Sequence, residues 1–254
     1  MVILEGRNVT RRFGGITAVD SIDFELMEGE ILGLIGPNGA GKTTLLNLIS
    51  GVFPVSSGTL RFGGMDITRL KPHNIAHLGV ARTFQVVKPF RGMTLKENVA
   101  IGALFGKAGT SYSIAEAMRA SDEILDIVGL KDLQGMSVEE ITSAQRKRLE
   151  LARALAMKPV ILLLDEVMAG LNPTEINMMM KLVKQINSNG ISILIIEHVM
   201  KAVMGISDRV MVLHHGQKLA VGGPEEVAND PAVIRAYLGH RYRYTGDSVK
   251  SGSS

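Results

Sequence analysis

Apolar and polar positions divide this chain into three stretches with different periods. Residues 2 to 28 alternate: Val2-Ile3-Leu4 opens the run, and Ile22, Phe24 and Leu26 carry acidic neighbours between them. A period of two predicts strands. Glu28-Gly29-Glu30 turns the chain into Ile31-Leu32-Gly33-Leu34-Ile35, a buried strand, and Ser56-Ser57-Gly58 is a turn before the strand Thr59-Leu60-Arg61-Phe62. Gly79 to Phe84 reads as a further strand. From about Gln85 to Met157 the period becomes helical, with helices expected over Asn98 to Phe105, Ser113 to Val128 and Ala144 to Met157. In the second of these, Ile114, Met118, Ile124, Leu125 and Val128 recur on one helical face. After Pro159 the strands return. Val160 to Leu164 is continuously apolar, as in a parallel strand covered on both faces. Pro173 to Asn187 is helical, and Ile191 to Ile196 and Arg209 to Leu213 are buried strands. Alternating strands and helices predict a doubly wound α/β sheet. The expected organisation is a core of about residues 1–84 and 158–240, an inserted helical subdomain of about 85–157, and a polar tail, 241–254, with frayed last residues.

Composition narrows the class without naming a function. The 254 residues are 46% hydrophobic, enough for a full core, and include no cysteine, which excludes disulfides and thiolate metal sites. No signal peptide is expected ahead of strand-like Val2-Ile3-Leu4, and the longest apolar runs are strand-sized, well short of the roughly 20 residues of a spanning helix. A net charge of +3 with 4% aromatics and no Trp argues against nucleic acid as a partner. The basic residues are spread out, apart from Arg146-Lys147-Arg148 and the tail's Arg241 and Arg243. Met178-Met179-Met180, at helical spacing, reads as core and surface filling rather than a ligand box.

The chemistry is concentrated in a few short segments. Gly36-Pro37-Asn38-Gly39-Ala40-Gly41-Lys42-Thr43 fits G-x-x-x-x-G-K-[ST] without a mismatch, between a strand and a helix that continues with Thr44. The glycines let the backbone curl its N–H groups around a polyphosphate, and the helix N-terminus adds favourable partial charge. Lys42 reaches β- and γ-phosphates and Thr43 ligates Mg²⁺ in such loops. Ile161-Leu162-Leu163-Leu164-Asp165-Glu166 ends an apolar strand in two carboxylates at the carboxyl edge of the sheet. Asp165 can hold Mg²⁺, mostly through water, and Glu166 can polarise an attacking water as general base. Two solvated acids would look the same in isolation; beside a phosphate loop they read as functional. Gln85, after the Gly79 to Phe84 strand, could reach Mg²⁺ or the attacking water, or be a surface amide. His198, after the Ile193 to Ile196 strand, could donate to a γ-phosphate, or be structural. His73, His77, His214, His215 and His240 show no ligand spacing.

The order Gly36 to Thr43, Gln85, a segment near 141–150, Asp165-Glu166 and His198 resembles the nucleotide-binding subunit of an ABC transporter over about residues 3 to 240. The resemblance implies a P-loop NTPase core with N-terminal antiparallel strands and an inserted helical subdomain. It also implies an ATPase using ATP and Mg²⁺, acting as a dimer with two ATP molecules sandwiched head to tail. Phe13, which alone would read as core, matches the aromatic that stacks on adenine in that family. The sandwich segment is usually Leu-Ser-Gly-Gly-Gln; here Ile141-Thr142-Ser143-Ala144-Gln145 stands in its place, without either glycine. Thr142-x-x-Gln145 is a capping-box pattern, so the segment is expected to open a helix whose N–H groups still suit an anion. Ala144 then needs no positive φ, although its methyl could hinder the closest backbone approach. The family often has Pro after the glutamate and Asp at the position of Asn172; Asn172-Pro173 reads as an N-cap followed by proline at the first helical position.

Arg82-Thr83-Phe84-Gln85, Ala169 to Glu175, Ile195 to His198, Val203 to Arg209 and Val233 to Gly239 resemble the ATP-binding subunits of branched-chain amino acid importers. Relatives of this kind also serve urea, amides and aromatic acids. A lipopolysaccharide-exporting ATPase, a soluble ABC-type ATPase acting on DNA or ribosomes, and a nucleotide-binding module without turnover are the competing readings. The resemblance implies a second ATP-binding subunit, identical or paralogous, transmembrane permease subunits, and an indirect solute-binding protein. It implies a peripheral location on the cytoplasmic face of the plasma membrane. Val86, Val87, Pro89, Phe90 and Met93 form the expected apolar surface for the permease, or else an ordinary loop packed inward.

Overall fold

The computed structural model describes residues 1–84, 89–106 and 112–238. Two sheets and the helices around them follow from the three stretches of the sequence. β1 (Val2–Phe13) and β2 (Ile16–Met27) form a long antiparallel hairpin, extended by β4 (Ser57–Phe62) and β5 (Met65–Asp66) into a four-stranded sheet of order β2-β1-β4-β5. The second sheet contains β3 (Ile31–Ile35), β6 (Val80–Arg82), β7 (Ile161–Asp165), β8 (Ser192–Ile196), β9 (Arg209–His214) and β10 (Gln217–Gly222), in the order β10-β9-β3-β8-β7-β6. Its strands are parallel except β10, which closes one edge antiparallel to β9.

Every residue of β3, β7 and β8 is buried, which explains their unbroken apolar runs. Successive side chains go to opposite faces. Leu162, Leu164, Ile193 and Ile195 join a core with α3 (Leu95–Leu104), α4 (Ile114–Ile127), α5 (Ser143–Ala156) and α6 (Pro173–Ser188). Ile161, Leu163, Leu194 and Ile196 join a second core with α1 (Lys42–Ile49) and the antiparallel sheet. The chain thus has the expected α/β core with N-terminal antiparallel strands and added helices.

Local signals set most helix starts. Thr94, Ser113, Thr142 and Asn172 each open a helix with a reciprocal capping box, to Glu97, Glu116, Gln145 and Glu175. The first of these corrects an expectation. α3 begins at Leu95, not Asn98, because Thr94 and Glu97 cap it three residues earlier. The strand expected over Gly79 to Phe84 is reduced to Val80–Arg82, since Gly79 instead caps α2 (Pro72–Leu78) with φ +108°. α2, α7 (Met200–Ile206), α8 (Pro224–Asn229), α9 (Pro231–Leu238) and β10 have no counterpart in the sequence reading. The methionine run divides as expected, Met179 in the core and Met178 at the surface. Among the described residues, no helix is long and apolar enough to cross a membrane.

Candidate functional site

Strand register assembles the site. Ile196 pairs with Leu34 on one side and with Asp165 on the other, so the carboxyl ends of β3, β7 and β8 finish in one row. The phosphate loop, Asp165-Glu166 and Glu197-His198 all emerge from that row, where open parallel sheets bind ligands. Asn38 to Thr44, Ala18, Phe13, Glu166 and His198 line one cavity of about 380 Å³.

The loop's shape demands its glycines. Gly41 has φ +100°, and a Cβ there would lie 2.4 Å from the Ala18 carbonyl oxygen. Gly36 has φ +151°, and a Cβ would lie 2.2 Å from the Leu213 carbonyl oxygen. Gly41 also starts α1 without any side-chain cap, leaving the first N–H groups of that helix for an external acceptor. The Lys42 ammonium folds over the loop, donating to the carbonyls of Gly36 at 2.6 Å and Pro37 at 3.0 Å. Burial pushes Lys42 below its ordinary range, opposed by the charges of Glu166 and Asp165. Thr43 is exposed in the cavity.

Asp165 is 1% exposed and paired with Arg82, whose guanidinium donates to its Oδ2 at 2.9 Å. The same guanidinium donates to Asn47 Oδ1 at 2.6 Å and Ser50 Oγ at 3.1 Å, tying the carboxylate to α1. Burial pushes the Asp165 carboxyl up, while the hydrogen bond and charge of Arg82 pull it back. Asp165 Oδ1 is buried and has no hydrogen-bond partner among the described residues. A hard-oxygen ligand set of Asp165 Oδ1 and Thr43 Oγ1 suits Mg²⁺, and the orphaned carboxylate oxygen fits that assignment.

Glu166 adopts a left-handed backbone, φ +54°, with its N–H donating to the Ile196 carbonyl at 2.9 Å. A non-glycine residue in this region costs on the order of 1–3 kcal/mol and marks a site where the surroundings fix the geometry. The bend leaves the Glu166 carboxylate 2.7 Å from His198 Nε2. His198 is therefore placed beside the general-base candidate. Phe13 borders the same cavity, 39% exposed, with the Arg11 guanidinium 4.5 Å from its ring centre and the Phe53 ring edge-on at 5.3 Å. Gln85, Val86 and Val87 lie outside the described residues.

Thr142, Ser143, Ala144 and Gln145 do not line this cavity. They open α5, with Gln145 N–H donating to Thr142 Oγ1 at 3.3 Å and Thr142 N–H to Gln145 Oε1 at 2.8 Å. Thr142 and Ser143 are exposed, whereas Ala144 is 6% exposed and part of the core. Its methyl points inward, so it does not stand in front of the helix N–H groups. Sequence reasoning missed four charged groups around the site, the buried Glu150 and Glu197 and the half-buried Arg82 and Lys147. Lys147 Nζ donates to the Glu166 carbonyl at 2.9 Å, and Glu197, 2% exposed, accepts from Met168 N–H at 2.6 Å. Burial pushes the Glu197 carboxyl up to about 7. The only signal in the sequence was their closeness to motifs.

Comparison with known proteins agrees with this geometry. A family model described as "ABC transporter" matches residues 19–169, and one described as "Branched-chain amino acid ATP-binding cassette transporter" matches residues 217–243. The high-affinity branched-chain amino acid transport ATP-binding protein BraF of Pseudomonas aeruginosa is 39% identical, covering 93% of this chain and 98% of the relative. LivG of Escherichia coli, described in the same words, is 41% identical over the same shares. Among solved structures, a nucleotide-free ATP-binding cassette from an ABC transporter is 31% identical with a TM-score of 0.85, covering 94% of this chain and 100% of the other. The ADP conformation of an ABC transporter cassette is 32% identical with a TM-score of 0.86, covering 94% and 99%. With a phosphate loop, a buried carboxylate and a glutamate–histidine pair at one sheet edge, and relatives matched along nearly their whole length, the chain belongs to the ABC transporter ATP-binding subunits, in the branched-chain amino acid group.

Proposed function

We propose that the protein hydrolyses ATP to power uptake of branched-chain amino acids through a separate permease, working as a peripheral subunit on the cytoplasmic membrane face. The solute rests on the printed names of BraF and LivG and on the matched C-terminal segment. The reaction rests on one observation above all: the Glu166 carboxylate, 2.7 Å from His198, faces the cavity formed by the phosphate loop.

Each residue has a part in that reaction. The loop N–H groups and Lys42 hold the phosphates, Lys42 exchanging its carbonyl partners for phosphate oxygens. Phe13 offers a ring face to the adenine. Thr43 and Asp165, with Gln85, would hold Mg²⁺, which neutralises charge on the phosphates. Glu166 takes a proton from the attacking water, and His198, hydrogen-bonded to Glu166, orients the carboxylate and reaches toward the γ-phosphate. Thr142 to Gln145 stand away from the cavity of their own chain, with Thr142 and Ser143 exposed, which suits a contact to the ATP of a second subunit.

The permease surface extends the expected one. Phe84, Phe90 and Phe105 are exposed at 54%, 40% and 69%, and Phe84 and Phe105 border a groove of about 210 Å³ with Arg82, Glu150 and Arg153. An apolar segment of the membrane subunit fits such a rim.

Substituting Glu166→Gln keeps the shape and removes the base. Turnover should fall by about 10² to 10⁴ while MgATP binding and an ATP-bound dimer persist. Normal steady-state ATPase from that variant, measured on purified protein, would rule out Glu166 as the base.

A further inference from the structure

The N-terminus of α5 stands away from the cavity of its own chain, but the helix reaches the site's surroundings farther along its length. Three polar side chains, at spacings of three, lie along one edge of the helix. Lys147 donates to the Glu166 carbonyl at 2.9 Å. Glu150, 8% exposed, accepts from the Phe84 N–H at 2.5 Å, directly before Gln85. The Arg153 guanidinium sits 4.6 Å from the centre of the Phe90 ring. One helix edge therefore grips the loop of the general base, the entry to Gln85 and the rim of the permease groove.

Such an edge is costly unless it serves a purpose, because apolar residues would fill one buried and two half-buried helix positions without desolvating charge. Burial pushes Lys147 down and Glu150 up, and each lies among the charges that oppose the other's shift. What the edge holds is strained. Glu166 keeps φ +54° with its carbonyl accepting from both Lys147 and the Ala169 N–H, the latter at 3.2 Å, and its own N–H on Ile196. Glu197, packed below with Oε2 unpartnered among the described residues, adds negative charge that keeps the Lys147 ammonium in place.

Resting on the reading that Glu166 activates water, we propose that Lys147 and Glu150 are positioning residues that lock Glu166 and the entry to Gln85 to the helix presented to the second chain. From Thr142 to Arg153 α5 spans about 17 Å as one rigid rod. Seating its N-terminus on the partner's ATP then sets the place of the general base in its own chain, and a permease segment in the groove acts on the same rod.

The test uses the full chain with MgATP. Lys147→Met keeps the stem and removes the ammonium. Its kcat should fall about tenfold or more while KM and ATP affinity stay within about twofold, since no phosphate contact is lost. Lys147→Arg, which retains a donor, should recover most of the loss, and Glu150→Leu should behave as Lys147→Met does. In a Glu166→Gln background, Lys147→Met should cause no further loss in single-turnover rate, because Lys147 acts through Glu166. If Lys147→Met does not fold, Lys147→Leu, which also lacks a donor, carries the same comparison. Parent-level turnover in the methionine variant, equal impairment of methionine and arginine variants with raised KM, or additive losses with Glu166→Gln would overturn the proposal. A parent chain that binds MgATP without turnover would instead overturn the ATPase reading beneath it.

Discussion

The phosphate loop and the segment Thr142 to Gln145 both open a helix, the first lining the cavity of its own chain and the second proposed to meet the ATP of a partner, yet they are built in opposite ways. The loop wraps its ligand, so its backbone needs left-handed turns at Gly36, Gly39 and Gly41 and has no room for a Cβ at Gly36 or Gly41. α1 has no side-chain cap, and its N–H groups are left to the ligand. The second segment only abuts. Thr142 and Gln145 cap α5 reciprocally, no residue from Ile141 to Gln145 has positive φ, and the Ala144 methyl is turned into the core. A backbone that curls into left-handed turns imposes glycine, whereas a side-chain-capped helix start does not. That is why one motif is intact here and the other has lost both glycines.

The comparison breaks most sharply at Gly41. Gly41→Ala forces an alanine into φ +100° with its Cβ against the Ala18 carbonyl. ATP affinity by calorimetry should drop by about 100-fold or more, equivalent to about 3 kcal/mol of strain and clash. Near-parent affinity would mean that the loop has another conformation in solution.

A second effect concerns the ground between the two segments. Glu197 lies buried beneath Glu166 and Lys147, with a carboxyl raised from 4.5 to about 7. A group whose folded pKa is raised contributes its stability below the unfolded value and loses it as pH climbs to the folded one. The parent therefore carries the full burden of a buried carboxylate above pH 7. Glu197→Gln does not, so its stability relative to the parent should be higher at pH 8 than at pH 4.5 by about 3 kcal/mol. Urea unfolding at the two pH values measures the difference, and a pH-independent gap would show that Glu197 is not held in this way.

The smallest effect is expected at Ala144. Ala144→Gly restores a family-like glycine but removes a buried methyl from the first turn of α5. It should cost about 1 kcal/mol of stability. Because the methyl faces the core, turnover per folded molecule should change less than about threefold, an effect worth under about 0.7 kcal/mol. A large gain in turnover would show that the methyl does obstruct the contact.

How much was legible in the sequence depended on the range of the interaction. The loop, Asp165-Glu166 and the caps at Thr142 and Asn172 are local patterns, fixed by residues within about one helical turn or at a strand end, and sequence shows them. The Thr94–Glu97 cap is equally local, yet the expected helix starts at Asn98, three residues inside the one that this cap opens. Arg82, Lys147, Glu150 and Glu197 gain their roles only when α5 and β6 to β8 pack together, bringing residues as far apart as Arg82 and Asp165 to 2.9 Å. Arg146-Lys147-Arg148 read as a basic run because nothing in its spacing separates Lys147, which reaches the Glu166 carbonyl, from its neighbours.

The central claim is that each cavity is half a site, completed by Thr142 to Gln145 of another chain. The absence of cysteine allows a direct measurement. A Glu166→Gln protein carrying Asn38→Cys and Ser143→Cys, oxidised with and without MgATP, is resolved on a non-reducing gel. The account predicts disulfide-linked dimers that form with MgATP and disappear on omitting it. Monomers alone, or dimers in equal yield without nucleotide, would contradict it.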